Sequence, residues 1–574
     1  MESLLIFFFL KRCPVSSADG DPSASFGIIA RRRLHAGTGP GRQPPGGPRI
    51  TPCLNSPVHR SLPQRMPNVT TLLDARLVPE AKTAFIQPDR GVSLSYRELR
   101  AMTNRLARGL IALGIDRGDR VCIYLDSSAE YLVGYLACWR MGAVAVPTNI
   151  VYRERELAHA INDAGAAAVI TDRGGAPVVR AIAAECPGLR HRIVVGEGEA
   201  DEVGWSELQA GDAGMRPVHC SFDDLCHIQY TAGTTGRPKG AMLSHGAWMS
   251  ALDAEREALS LGPDDVYLGI YPLGHVGCSW GLATLRAGGT WVAMARFDLD
   301  AYLALAREFR PTVLAGMPPV IHALVHAGPE ADEALAQARV IISGGGSLLP
   351  TIWEAFDRRF GIPVANAYGL SETIVIGSGT VTLPAYPELT RNYCSVGVAV
   401  GYTEVRIVDA EDPDLELPPG TVGEIALRGP SVAMGYWNQP KATSEVFRED
   451  GWFLTGDIGV LDSDGILFIT DRKKDMIIMS GWKIYPTEVE DVLIGHEAIA
   501  DVAVYGLPDE RRGEIPVAAI VPAPGCTLTL DELREFCVSR LAGYKIPRRL
   551  ELVESLPRVH GWKLLRRSLR EQNR

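Results

Sequence analysis

No Cys-x-x-Cys pair occurs among the 11 cysteines, which are scattered and odd in number. That spacing excludes a zinc ribbon and a dithiol redox motif, and it leads to an expectation of reduced thiols and a cytoplasmic location. An excess of basic charge is also lacking. Lys and Arg total 58 against 68 Asp and Glu, a net charge of -10. The chain therefore has no general basic face for a phosphate backbone, and no nucleic-acid partner is expected. The apolar run at the start, Leu4 to Leu10, is far shorter than the ~20 residues of a membrane-spanning helix. Lys11 and Arg12 follow that run instead of preceding it, which makes it a poor secretory signal. No membrane span is expected.

What is present fits a large enzyme. At 574 residues the chain is too long for one hydrophobic core, so at least two domains are expected. Apolar residues at 46% and charged residues at 22% exclude disorder as the main state. Residues 1–65 differ: they are rich in Arg, Gly, Pro and Ser and poor in acids, a composition that cannot bury enough surface to order itself. They read as a disordered extension, either an organelle-targeting segment or an over-extended start before Met66.

From Met66 onward, short apolar runs alternate with helical periodicity, as in an α/β fold. Val121 to Leu125 reads as a buried strand and Ala129 to Met141 as an amphipathic helix. Ala168 to Thr171 reads as a strand, Val178 to Glu185 as a helix, and Leu225 to Thr231 as a strand ending in a glycine-rich turn. The alternation runs to about Thr470. After the charged run Asp471-Arg472-Lys473-Lys474-Asp475, a smaller α/β unit begins. The expected organisation is a large domain over 66–471, a hinge at 472–475 and a small domain over 476–574.

Chemistry concentrates in a few strings. Tyr230-Thr-Ala-Gly-Thr-Thr-Gly-Arg-Pro-Lys-Gly240 lies between a predicted strand and a helix starting near His245. Its glycines let backbone approach a phosphate, its threonines donate hydrogen bonds, and Lys239 adds positive charge. It is not the P-loop of the NTPases, because Pro238 precedes the lysine and Gly240 follows it. Downstream stand Ser343-Gly-Gly-Gly-Ser347, Asn366-Ala-Tyr-Gly-Leu-Ser-Glu-Thr373, Gly451-Trp-Phe-Leu-Thr-Gly-Asp457, Thr470-Asp-Arg-Lys-Lys-Asp475 and Leu556-Pro-Arg-Val-His-Gly-Trp-Lys563.

In this order, across nearly all of residues 66–574, these strings resemble the motifs of the adenylate-forming superfamily. That superfamily includes acyl-CoA synthetases, peptide-synthetase adenylation domains and firefly-type luciferases, and the chain is most like an acyl-CoA synthetase. The resemblance implies a large multi-subdomain N-terminal domain with a smaller mobile α/β C-terminal domain. It implies that Thr231, Gly233, Thr234, Thr235, Gly236 and Lys239 meet the phosphates of ATP. Gly344, Gly345 and Gly346 would leave room for the adenine, with Asn366, Ala367, Tyr368 and Gly369 beside it and Tyr368 stacked on the base. Ser371 would touch phosphate, and Glu372, with Thr231, would hold Mg²⁺. Asp457 offers two acceptor oxygens to a ribose diol, and Arg472 falls on the ribose-contacting arginine. Lys474 would be the hinge, Ser480, Gly481 and Trp482 the wall of the CoA path, and Lys563 the lysine that reaches the α-phosphate and the substrate carboxylate. His275, in Tyr271-Pro-Leu-Gly-His-Val-Gly277, aligns with a histidine where acyl pocket and thiol tunnel meet.

Four positions depart from the family pattern. Ala232 replaces a common serine, Gly561-Trp562 replaces Thr-Gly beside Lys563, and Gly274 replaces an aromatic. With Gly277 and Cys278 also small, this end of the acyl pocket is expected to be widened, with Trp280 lining it. The implied reaction consumes a small-molecule carboxylic acid, fatty or otherwise apolar, with ATP, Mg²⁺ and CoA. A separate carrier protein as acceptor, or a catalytically impaired nucleotide-binding homologue, are the alternatives. Oligomeric state is not legible in the sequence, although homodimers are common among such enzymes.

Overall fold

A computed structural model describes residues 68–73, 80–196, 198–199, 201–231, 238–375, 377–380, 389–559 and 563–573. The expected extension over 1–65 lies outside them, as do Ala232 to Gly236 and Gly561-Trp562. The described residues belong to the unit Gln64–Arg574.

Two mainly parallel sheets form the larger part. One has seven strands in the spatial order Val203–Gly204, His191–Val195, Ala166–Asp172, Arg120–Tyr124, Val144–Pro147, Leu225–Thr231, Lys239–Ser244. Its last pair is an antiparallel hairpin, with Tyr230 opposite Gly240 and Thr231 opposite Lys239. The other has nine strands, in which Val266–Gly269, Val313–Ala315, Val340–Gly344 and Val364–Tyr368 run parallel side by side. Parallel strands need helices on their faces, and the chain supplies them. The helix Ala129–Met141 begins where the Ser128 hydroxyl accepts the Tyr131 N–H at 3.2 Å, and it ends at Gly142, whose φ of +80° suits a residue without Cβ. Every residue of this helix except Glu130 is buried. The expectation of an amphipathic helix is corrected: a helix apolar all round sits inside a core.

Beyond residue 400 the alternating α/β pattern gives way to an antiparallel four-stranded sheet, Glu404–Val408, Gly423–Arg428, Phe453–Leu461 and Leu467–Arg472. A five-stranded sheet follows, built around the long pair Ile499–Asp509 and Gly513–Pro522 and carrying its own apolar core of Ile484, Val489, Val504, Ile520 and Leu533. This smaller α/β domain comes after the charged run, and the mixed α/β class with a large N-terminal and a small C-terminal domain is what the chain adopts. Near its end, Arg558–Val559 pairs with Lys563–Leu564 as a short antiparallel ribbon.

Eight described cysteines are free thiols, seven of them buried. No helix among the described residues is long and apolar enough to cross a membrane.

Candidate functional site

Ligands of parallel α/β sheets gather outside the carboxyl ends of the strands, and Thr231, Gly344 and Tyr368 each end such a strand. Strand Val340–Gly344 ends at Gly344, which pairs with Ala367 on the next strand. A Cβ on Gly344 would come within 3.1 Å of the Ala367 carbonyl oxygen, so the two strands close tightly at this edge. Gly345 has φ +82°, the left-handed region glycine tolerates, and Gly345 and Gly346 are exposed. Asn366 is fixed by its amide, which donates to the Ser395 carbonyl at 3.0 Å, and by its backbone N–H, which donates to the Thr380 hydroxyl at 2.6 Å.

Strand Val364–Tyr368 ends in Tyr368, whose hydroxyl donates to Asp457 Oδ2 at 2.9 Å. The other oxygen, Oδ1, meets Arg472 Nε at 3.1 Å. Asp457 is 4% exposed, and it faces Arg472 because the strands carrying them pair in that register. A buried carboxylate is tolerable when both oxygens are satisfied by a cation and a hydroxyl. Tyr368, Asp457 and Arg472, drawn from three motifs, thus form one cluster.

A second cluster lies on the phosphate-loop hairpin. Glu372 belongs to a single turn, Ser371–Thr373, that packs against both hairpin strands, just after Gly369. Its Oε1 accepts the Tyr436 hydroxyl at 2.9 Å, and Lys239 Nζ sits 5.0 Å above the Tyr436 ring. Tyr436 arrives on a segment that runs along the outer hairpin strand: Met434 N–H donates to the Met242 carbonyl, Trp437 N–H to the Gly240 carbonyl, and Ala433 N–H to the Glu372 carbonyl at 2.7 Å. Glu372 is 7% exposed, and burial raises its pKa against the opposing pull of Tyr436. Thr231 is half-buried at the strand end, with its hydroxyl 3.4 Å from the Lys239 carbonyl. Tyr436 was missed in the motifs, and only the spatial meeting of residues 64 apart in sequence reveals it. Gly233, Thr234, Thr235 and Gly236 lie outside the described residues.

His275 is half-buried and opens a short turn, Val276–Cys278, with its Nε2 3.5 Å from Asn149 Nδ2. The expected widening around it is not found. A Cβ on Gly274 would stand 3.2 Å from the Thr148 carbonyl oxygen and 3.3 Å from the Tyr131 hydroxyl, and one on Gly277 would stand 3.2 Å from the Tyr271 side chain. The space left by the missing side chains is taken by these neighbours, and Trp280 is buried.

Ser480, Gly481 and Trp482 are not drawn into these clusters. Trp482 is 52% exposed and stacks on Tyr544 of its own domain, ring centroids 4.9 Å apart, with Ser480 and Gly481 exposed beside it. Lys563 pairs through its backbone with Val559. Lys474 stands between two anchored neighbours: Lys473 binds Glu424 at 2.8 Å on the four-stranded sheet, whereas Asp475 meets Arg566 at 3.4 Å in the C-terminal helix.

The family model of the AMP-binding enzyme matches residues 74–437, and that of the AMP-binding enzyme C-terminal domain matches 488–561. The chain belongs to this adenylate-forming family. It is 36% identical to a feruloyl-CoA synthase of Amycolatopsis sp, over 84% of this chain and 94% of that one. It is 33% identical to the long-chain-fatty-acid–CoA ligase FadD13 of Mycobacterium tuberculosis, over 88% and 99%. Among solved structures, ATP-bound MatB from Rhodopseudomonas palustris superposes with a TM-score of 0.81 at 32% identity, covering 88% of this chain and 99% of that one.

Proposed function

We propose that the protein is an ATP-dependent acid–thiol ligase that converts an apolar monocarboxylic acid to its acyl-adenylate and passes the acyl group to CoA. The observation that carries this reading is the pair of clusters Tyr368–Asp457–Arg472 and Glu372–Tyr436–Lys239, each built on a buried carboxylate, beside the ends of the strands Val364–Tyr368 and Leu225–Thr231. One has acceptors and a cation for a nucleoside; the other has a carboxylate and a lysine beside the phosphate loop.

In the first half-reaction the acid's carboxylate oxygen attacks the α-phosphorus and pyrophosphate leaves. Asp457 and Arg472 hold the ribose, Tyr368 and the Gly344–Gly346 turn with Ala367 flank the base, and Ser371, Thr231, Gly233 to Gly236 and Lys239 engage the phosphates. Lys563 delivers positive charge to the reacting oxygens; a preorganised charge of this kind lowers the barrier because charge develops there. Glu372, a hard oxygen donor buried with one neutral hydroxyl partner, fits a Mg²⁺ ion that would take its other ligands from Thr231 and the triphosphate. Such an ion neutralises phosphate charge when bound.

In the second half-reaction the thiol sulfur attacks the acyl carbon past His275, the thiol proton goes to water, and AMP departs. The C-terminal domain, residues 476–574, turns about Lys474 between the two steps, withdrawing Lys563 and bringing Ser480 to Trp482 to the thiol path. A motion of this kind gates chemistry. The eight free thiols support a cytoplasmic location as part of the same proposal.

The full chain is tested with ATP, Mg²⁺ and fatty, aromatic and dicarboxylic acids, with and without CoA. AMP release and thioester formation that require both acid and CoA establish the ligase and its acid class. Acid-dependent ATP–pyrophosphate exchange without a thioester points to a carrier protein as acceptor, and silence across the panel overturns the reading.

A further inference from the structure

Three backbone groups of the turn before His275 are held by side chains from other parts of the chain. The Leu273 N–H donates to the Ser127 hydroxyl at 3.1 Å, the Leu273 carbonyl accepts the Tyr135 hydroxyl at 2.6 Å, and the Gly274 carbonyl accepts Gln229 Nε2 at 3.2 Å. Gln229 is 2% exposed and lies on the strand Leu225–Thr231, two residues before the phosphate-loop threonine. Its amide has a defined orientation. Gln229 Oε1 lies 3.2 Å from His227 Nε2, so a proton on that nitrogen turns the amide oxygen towards His227 and the NH₂ towards Gly274.

His227 is fully buried, and burial lowers its pKa to about 3, leaving it neutral. Its ring stacks on Tyr135 at 5.5 Å and packs against Trp248 at 5.2 Å, while its Nδ1 has no partner among the described residues. The histidine therefore touches two of the three clamps at once: it orients Gln229 through a hydrogen bond and supports the ring of Tyr135, the residue holding Leu273. A buried imidazole with one satisfied nitrogen carries a desolvation cost, and that cost is understandable if the fixed orientation of Gln229 is what the arrangement secures.

We propose that Gln229, oriented by His227, is a positioning residue for acyl transfer: it ties the strand leading into the phosphate loop to the Gly274 carbonyl and thereby fixes where His275 stands. The inference rests on the reading of His275 as the residue at the junction of acyl pocket and thiol path. It gives a physical reason for glycine at 274, since the close approach of the Thr148 carbonyl and Tyr131 hydroxyl leaves this turn no room to be held by its own side chain.

The test is a set of variants in the full chain, Gln229→Met, His227→Phe, His275→Ala and the double Gln229→Met/His275→Ala. Each is assayed for acid-dependent ATP–pyrophosphate exchange and, separately, for thioester formation from supplied acyl-adenylate and CoA. Gln229→Met keeps the volume but cannot donate, and the loss of one buried hydrogen bond should slow thioester formation about tenfold. Pyrophosphate exchange and the KM for ATP should stay within about twofold. His227→Phe keeps the stacking and should give a smaller loss in the same step. The double variant should be no slower than His275→Ala, because contacts that act through one residue are not additive. Equal loss in pyrophosphate exchange would show that Gln229 serves the phosphate loop instead, and additive losses would show a merely structural role; either overturns the proposal. Should His275→Ala alone leave thioester formation intact, the reading of His275 falls and the proposal with it.

Discussion

The residues proposed to hold the nucleotide and those proposed to act from the C-terminal domain are built in opposite ways. Asp457, Tyr368, Arg472, Glu372, Tyr436 and Lys239 are bound to one another before any ligand is considered, and the two carboxylates are buried. On the C-terminal domain Ser480, Gly481 and Trp482 are exposed, and Trp482 leans on its own domain. Preorganisation suits groups that bind the same ligand in both half-reactions, because no reorganisation is needed when charge develops. Groups that act in only one half-reaction belong on a part that can be brought in and taken away.

The sharpest way to break this contrast is Lys563→Ala. Adenylation should fall ~10²–10³-fold, while thioester formation from supplied acyl-adenylate changes by less than about tenfold; equal loss in both steps would mean that the lid does not alternate. Next in size, Glu372→Gln retains an acceptor for Tyr436 but no charge. Pyrophosphate exchange should drop about 10²-fold, with a higher Mg²⁺ concentration needed for half-maximal rate, and an unchanged Mg²⁺ titration would remove Glu372 from the metal site. Tyr436→Phe leaves the ring under Lys239 and deletes one hydrogen bond to a carboxylate. About a tenfold loss in the same exchange is expected, and a loss seen only with CoA present would place Tyr436 elsewhere in the cycle. Trp482→Ala, on the lid, should raise the KM for CoA only several-fold, about 1 kcal/mol, with pyrophosphate exchange untouched.

A last expected effect bears on stability and not on rate, and lies in the core. Glu255 is fully buried, its Oε1 accepting the Ser279 hydroxyl at 2.5 Å, and burial raises its pKa well above the ordinary carboxyl range. The folded chain keeps a proton that the unfolded chain releases above about pH 4.3. The stability this group contributes is complete below that pH and is lost as pH rises to the folded pKa, at up to about 1.4 kcal/mol per pH unit. Glu255→Gln should flatten the fall in denaturation midpoint with rising pH, and a slope identical to the parent's would show that Glu255 is ionised in the fold.

The helix Ala129–Met141 and the strand Leu225–Thr231 have the bounds expected from their apolar patterning, and a helix starts at His245. The strand Lys239–Ser244 was passed over, because a glycine-rich turn followed by a helix leaves little sign of the six residues between them. The antiparallel sheet over Glu404–Arg472 was absorbed into an α/β alternation, since short apolar runs read alike in parallel and antiparallel strands. The widened pocket expected at Gly274 and Gly277 failed for a different reason: a missing side chain leaves space only if no neighbour fills it, and Tyr131, Thr148 and Tyr271 do.

The motif strings alone determined the family, the order of the domains and the residue types offered to a nucleotide, because backbone approach to phosphate and the acceptors for a diol depend on local residue chemistry. Only the tertiary structure decided which of them meet. Tyr368 reaches Asp457 across 89 positions, Tyr436 reaches Glu372 across 64, and Gln229 reaches Gly274 across 45. Such pairings follow from strand register and from how the two sheets pack, and no spacing within a motif encodes them.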